Sequence, residues 1–319
     1  MEVEKTREQI LKEFDDKIAD AIENKGAIEV RDLYIEKAEF FKDKKEWDTF
    51  REILDLALTK TVGASKKLEL NMEMLQSYHV QRNGLKYKEY LRVCKSLEEE
   101  GSDWEMKNKL AIYKSIENLN KRNFKLASEQ MISTINTYNS PEIISFNNLV
   151  FYSTLLGILS QERATIDEKL IKSSDVMTEL RNMKDMQGLL NSYHKCNYQD
   201  FFPKLLEVRE RVMADEFLKK HEKYILRQSR IIIYTQFMES YKTVTLDNMA
   251  QNFGVSPEFI DRELSEFIAS KKIHCKIDKL KGIIESQKTD SRLNRYDEIL
   301  KKGDLLIEKM HKLARIAQS

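Results

Sequence analysis

The chain has 319 residues, 41% apolar and 34% charged, with 54 basic against 53 acidic side chains and a formal charge of +1. That length allows two or three packed units with cores of their own. The charge balance argues against a dedicated nucleic-acid binder, whose affinity rests on a basic surplus that neutralises phosphates.

Only 9 glycines and 3 prolines are present, so residues that break helices are scarce and long helices with short connections are expected. The N-terminal stretch MEVEKTREQILKEFDDK is acidic and helical in pattern. It has neither the basic start nor the apolar run of a signal peptide.

From there to about residue 200 the periodicity predicts helix after helix, and one segment recurs. Trp47, Phe50, Leu54 and Leu58 stand three, four and four residues apart, and Phe124, Ala127, Met131 and Ile135 repeat that spacing. Tyr87, Tyr90 and Cys94 form a weaker version between them. The intervals of 40 residues (47 to 87) and 37 residues (87 to 124) fall in the range of helix-pair solenoids, whose units bury an apolar stripe only by stacking. The most apolar stretch, LVFYSTLLGIL, is flanked by Asn147, Asn148, Gln161 and Glu162. It is too short to span a bilayer and reads as a buried core helix.

Beyond residue 200 the pattern changes. RQSRIIIYTQFMESY predicts a helix with Ile233, Phe237 and Tyr241 on one face and Tyr234 and Met238 beside it. Thr245 is placed to cap the next helix and Gly254 to end it. Ser256 then caps a third helix, with Pro257 at its first position, Glu258 after it, and Ile260, Leu264, Phe267 and Ile268 as its core face. In IHCKID, Ile273, Cys275 and Ile277 alternate with His274, Lys276 and Asp278, a half-buried strand. A turn at Gly282 leads to a second strand, IIES. Three helices and a two-stranded ribbon make a winged helix.

From about Ser291 a single long helix is expected. Leu293, Tyr296, Leu300, Gly303, Ile307, Met310, Ala314 and Ala317 follow a 3.5-residue repeat, widened by Ile299, Leu306 and Leu313. So broad a stripe outside the winged helix calls for partner helices from other chains.

Motifs for chemistry are missing from the sequence. No two of the five histidines stand two or four apart, and no two glycines stand two or five apart, so histidine metal motifs, dinucleotide loops and P-loops cannot be written. Cys94, Cys196 and Cys275 lie far apart with no C-x-x-C pair, which suggests neither disulfides nor zinc and points to a reducing, intracellular compartment. The juxtapositions His194–Cys196 and His274–Cys275 read as packing or surface residues. No active site, metal or cofactor is expected. In the winged helix, Ser256 to Ser270 carries Glu258, Asp261, Glu263 and Glu266 against Arg262 alone, a face that would repel phosphate. Lys271, Lys272, Lys276, Lys279 and Lys281 gather around the wing instead.

A helical solenoid running into a winged helix resembles the PCI family, whose members build the proteasome lid, the COP9 signalosome and a translation initiation factor complex. The runs FGVSPEFIDRELSEFI, IHCKIDK, KKGDLL and Asp103 to Ile132 are similar to those of a proteasome-lid member. The signalosome's largest PCI subunit stands second. The likeness covers roughly the last two-thirds of the chain, and the first hundred residues match poorly. The fold implied is all-α dominated: a right-handed TPR-like α-solenoid (1–120), a PCI domain (121–290, with a helical part 121–218 and a winged helix 219–288), and a C-terminal bundle helix (291–319).

The resemblance implies a non-catalytic scaffold in a hetero-oligomer. Its partners would be other lid PCI subunits and the lid helical bundle, with the ATPase base reached indirectly, and with no nucleic acid or membrane. It further implies the cytoplasm and nucleus. The expected interface residues are Ile273, Cys275, Lys276, Ile277 and Ile283 on the ribbon, whose strand edge invites pairing, and Leu300, Ile307 and Met310 on the last helix.

Overall fold

The structure is a computed structural model that describes residues 7–24, 26–138, 141–286 and 291–317. Among the described residues it has sixteen α-helices and one three-stranded sheet. The chain divides into two compact units between Asn182 and Met183.

The first unit runs α1 (Arg7–Asn24), α2 (Ala27–Asp43), α3 (Trp47–Thr59), α4 (Ala64–Val80), α5 (Gly84–Glu100), α6 (Trp104–Asn120), α7 (Phe124–Thr134), α8 (Phe146–Ser160), α9 (Arg163–Ile166) and α10 (Ser174–Asn182). The repeat seen in the sequence is a hairpin of helices, and its signature is the turn. Lys45, Arg82 and Arg122 adopt φ values of 60°, 59° and 61°, and each closes a helix in the left-handed conformation. The following amide then bonds five residues back: Glu46 N donates to Phe41 O at 3.0 Å, Asn83 N to Tyr78 O at 3.0 Å, and Asn123 N to Asn118 O at 2.9 Å. Such a turn satisfies the last helical carbonyls while reversing the chain within two or three residues. It recurs in the second unit, where Cys196 has φ 57° and Asn197 N donates to Ser192 O at 2.9 Å, and where Lys271 has φ 55° and Lys272 N donates to Phe267 O at 2.9 Å.

Between hairpins the apolar stripes interlock. Ala38, Phe41, Phe50, Leu54, Ala57, Leu70 and Met74 form one core, and Leu68, Leu75, Tyr87, Leu91, Cys94, Leu110 and Tyr113 are among the members of the next. Each fully buried Leu or Phe stabilises the stack by about 1.5–3 kcal/mol. Phe124, Ala127, Met131 and Ile135 are all buried, whereas Trp47, Leu58 and Tyr90 stand only half-buried at the margins. The stretch LVFYSTLLGIL is buried from Leu149 to Leu159 inside α8, as its composition required. Ser153 and Thr154 donate their hydroxyls to the carbonyls of Leu149 and Val150 at 2.6 and 2.8 Å, so no polar group is stranded there. Gly157 lets a π-helical segment, Asp167–Ile171, approach closely, since a Cβ at Gly157 would lie 3.2 Å from Leu170 Cδ1.

The second unit holds α11 (Lys184–His194), α12 (Tyr198–Ala214), α13 (Glu222–Glu239), β1 (Thr243–Thr245), α14 (Leu246–Phe253), α15 (Pro257–Ala269), β2 (Cys275–Asp278), β3 (Ile283–Ser286) and α16 (Ser291–Ala317). The caps are those expected. Thr245 Oγ1 accepts from Asn248 N and Ser256 Oγ from Phe259 N, each at 3.3 Å, and Gly254 is left-handed at φ 65°. Phe253 is the hub of this core, with ring centroids 5.0 Å from Tyr198, 5.7 Å from Phe202, 5.0 Å from Tyr234 and 5.4 Å from Phe237.

Three details depart from the expectations. The ribbon is a three-stranded sheet of order β1-β3-β2, because Thr243–Thr245 pairs antiparallel with β3 in the register Val244↔Ile284. Tyr241 lies past the end of α13 and is exposed, with a ring contact at 5.0 Å to Phe237. Ile268 is half-buried, and Glu263 joins Ile260, Leu264 and Phe267 as a buried side chain of α15.

Candidate docking surfaces

Geometry divides the ribbon residues proposed from sequence. In the register Lys276↔Glu285 and Ile277↔Ile284, Cys275 and Ile284 point into the core while Lys276 and Glu285 face outward. Ile273, just before β2, and Cys275 are each 4% exposed, so their side chains anchor the wing and cannot reach a partner. Ile277 is half-buried. Ile283 belongs to β3, which is paired on both sides, so the outer edges of the sheet are those of β1 and β2, and within the ribbon it is β2 that has one. Backbone groups of β2, with Lys276 beside them, are therefore what the wing offers.

Burial pushes the Cys275 thiol up to about 11 and the Cys94 thiol to about 12. Both stay protonated at neutral pH, which removes them as nucleophiles. Among the described residues no group of three or more His, Cys, Asp or Glu side chains is arranged to hold a metal ion. No described helix is long and apolar enough to cross a membrane.

The exposed face of α15 is less acidic than its composition suggested. Glu263 is buried: Oε2 accepts the Tyr234 hydroxyl at 2.8 Å and Oε1 pairs with Arg230 Nη1 at 2.8 Å. Asp261 is half-buried and bonded to Lys279 of the wing at 3.0 Å. Glu258 and Glu266 remain outward, with Arg262 the exposed base. A face of two carboxylates and one guanidinium still provides no phosphate-binding surface.

Leu300, Ile307 and Met310 of α16 are 64%, 53% and 61% exposed. Tyr296, Ile299, Leu306 and Leu313 are exposed beside them, so among the described residues nothing covers this apolar stripe. The side chains of Leu293 and Ala317 lie outside the described ones.

Sequence missed three elements of these surfaces. β1 is only three residues long and cannot display a period of two. Glu263 looks like one more solvated carboxylate until Tyr234 and Arg230 are placed against it. The fourth hairpin was within reach, since KCNY at Lys195–Tyr198 repeats the KRNF at Lys121–Phe124.

The chain matches two protein families. Residues 1–169 match the family described as 26S proteasome subunit RPN7, and residues 190–288 match the PCI domain. It is 36% identical over 309 residues to the 26S proteasome non-ATPase regulatory subunit 6 homolog of Arabidopsis thaliana, covering 97% of this chain and 80% of that protein. It is 30% identical over 313 residues to the 26S proteasome regulatory subunit RPN7 of Saccharomyces cerevisiae, covering 97% and 73%. COP9 signalosome complex subunit 1 of Arabidopsis thaliana is 23% identical over 200 residues, covering 61% of this chain and 45% of that one. The first hundred residues thus belong to the similarity, contrary to the expectation from sequence.

Proposed function

The chain belongs to the family of the 26S proteasome subunit RPN7, and we propose that it is a non-catalytic scaffold subunit of the regulatory-particle lid, supporting ubiquitin-dependent degradation by holding its neighbours together. The observation that carries the reading is α16, a 27-residue helix whose apolar stripe has no cover among the described residues. A stripe of this kind is stable in water only when other helices bury it. Leu300, Ile307 and Met310 enter a helical bundle with other lid subunits, and the winged helix (219–288) associates with neighbouring PCI subunits through the free edge of β2. The ATPase base is reached through those neighbours. The protein resides in the cytoplasm and nucleus.

Deleting residues 291–319 tests the bundle. The shortened chain is expected to fold with an unchanged melting temperature and to lose co-purification with proteasome ATPases, and normal incorporation would overturn the reading. Ile277→Pro tests the wing, because Lys276 pairs with Glu285 inside the sheet while the Ile277 amide lies on the outer edge of β2, and proline removes that donor. Weakened association with the helical part still folded is expected, and undiminished association would count against pairing at that edge.

A further inference from the structure

Within the first unit, α2, α4 and α6 open hairpins that follow one another along the chain, and together with residues 141–143 they enclose a cavity of about 290 Å³. Met72, Met106 and Tyr113 form apolar walls, and Glu39, Glu69, Glu73 and Glu142 supply carboxylates against Lys42 and Lys109. Two of these charges are already engaged at the rim, Glu69 by Lys66 at 2.6 Å and Lys109 by Glu105 at 3.1 Å. Three carboxylates then remain with Lys42 as their counter-charge.

Glu73 is the informative group. Its Oε2 is shielded from solvent and accepts no hydrogen bond, a condition that folded proteins seldom leave uncompensated because a buried acceptor has lost its water. Burial pushes the carboxyl up, Glu39 and Glu69 add repulsion, and Lys42 opposes it. The site therefore lacks a positively charged donor, inside walls that suit a flat, partly apolar group.

We propose that this cavity receives the guanidinium of an arginine side chain presented by a partner polypeptide. Guanidinium brings five donors in a planar fork that matches a carboxylate bidentately, and its weakly hydrated faces pack on Tyr113 and the methionine side chains. A lysine ammonium is compact and strongly hydrated and would give up more water for fewer bonds.

The test uses the full chain labelled at its methionine methyl groups, with the Met72 and Met106 signals assigned from Met72→Leu and Met106→Leu. The probes are the capped peptide Gly-Ala-Arg-Ala-Gly and its counterparts carrying citrulline or lysine. The arginine peptide is expected to shift the Met72 and Met106 signals, at least tenfold more tightly than either counterpart. Glu73→Gln should weaken it at least tenfold while the remaining methionine signals keep their positions. Glu142→Gln, on the 141–143 segment, provides the same comparison if Glu73→Gln fails to fold. Equal response to arginine and citrulline, equal response to lysine, no shift at millimolar peptide, or undiminished binding by the folded variant would overturn the proposal.

Discussion

The Tyr234 hydroxyl donates to Glu263 Oε2 across 2.8 Å, tying the centre of α13 to the buried side of α15. Arg230, one turn earlier on α13, holds the other carboxylate oxygen at 2.8 Å, so the carboxylate is clamped from two successive turns. This fixes the rotation of α15 about its axis, which apolar packing at Ile260, Leu264 and Phe267 sets only loosely. Removing one partner strands a buried acceptor. Tyr234→Phe is expected to cost about 1–2 kcal/mol. Glu263→Ala, which strands Tyr234 and leaves Arg230 facing water, should cost about 2–3 kcal/mol. Urea unfolding of both variants checks the order. Equal costs would mean that the tyrosine alone, not the arginine, supplies the hold.

The same pair marks the boundary of what could be read from the sequence. Apolar periodicity located the helical hairpins, the buried α8 and the winged helix, because burial of a helix face imposes a 3.6-residue rhythm on the chain itself. Caps at Thr245, Gly254 and Ser256 were legible for a similar reason, since the groups they satisfy lie within three or four residues. Glu263 and β1 were not, since each is defined by a partner about 30 to 40 residues away: Tyr234 for one and β3 for the other. At the docking surfaces the exposed stripe of α16 was readable as a pattern. Which strand is left with a free outer edge depended on the pairing order β1-β3-β2, and no local signal carries it.

The repeated turn makes its own prediction. Lys45 sits at φ 60°, a conformation that costs a residue with a Cβ roughly 1 kcal/mol and costs glycine almost nothing. Lys45 is exposed, so Lys45→Gly relieves that strain without losing a buried contact. It is expected to stabilise the chain by about 0.5–1 kcal/mol, and Lys45→Val to destabilise it by about 1 kcal/mol or more, because a β-branched side chain is the poorest fit to this region. Melting temperatures of the two variants should move in opposite directions. A loss of stability with glycine would show that the turn is held by lysine contacts, not by its backbone.

Glu73 gives stability a dependence on pH. Its folded-state value lies above the ordinary 4.5, with burial the main cause. The folded chain therefore holds that proton at pH values where the unfolded chain has released it. The contribution is present in full below 4.5, falls as pH rises through the raised folded value, and is absent above it. Glu73→Gln cannot titrate, so its unfolding free energy, followed by urea from pH 4 upward, should lack this decline. A parent and variant with parallel profiles would place the Glu73 carboxyl in water.

For α16 the expectation separates stability from assembly. Leu300 and Ile307 are both more than half exposed, so charging them removes nothing that the isolated chain has buried. Leu300→Lys with Ile307→Lys should leave its unfolding free energy within about 0.5 kcal/mol of the parent. In a helical bundle the same positions would each lose about 1.5–3 kcal/mol of apolar burial and gain a cation with no partner. Incorporation into the assembled particle should then fall by more than a hundredfold, since even the lower loss at two sites exceeds 2.8 kcal/mol, and every 1.4 kcal/mol is a factor of ten. Unfolding in urea and competition between tagged parent and variant for the particle give the two readouts. A variant that competes on equal terms would show that the stripe faces solvent in the assembly as well, and a variant that unfolds early would show that α16 packs on its own chain.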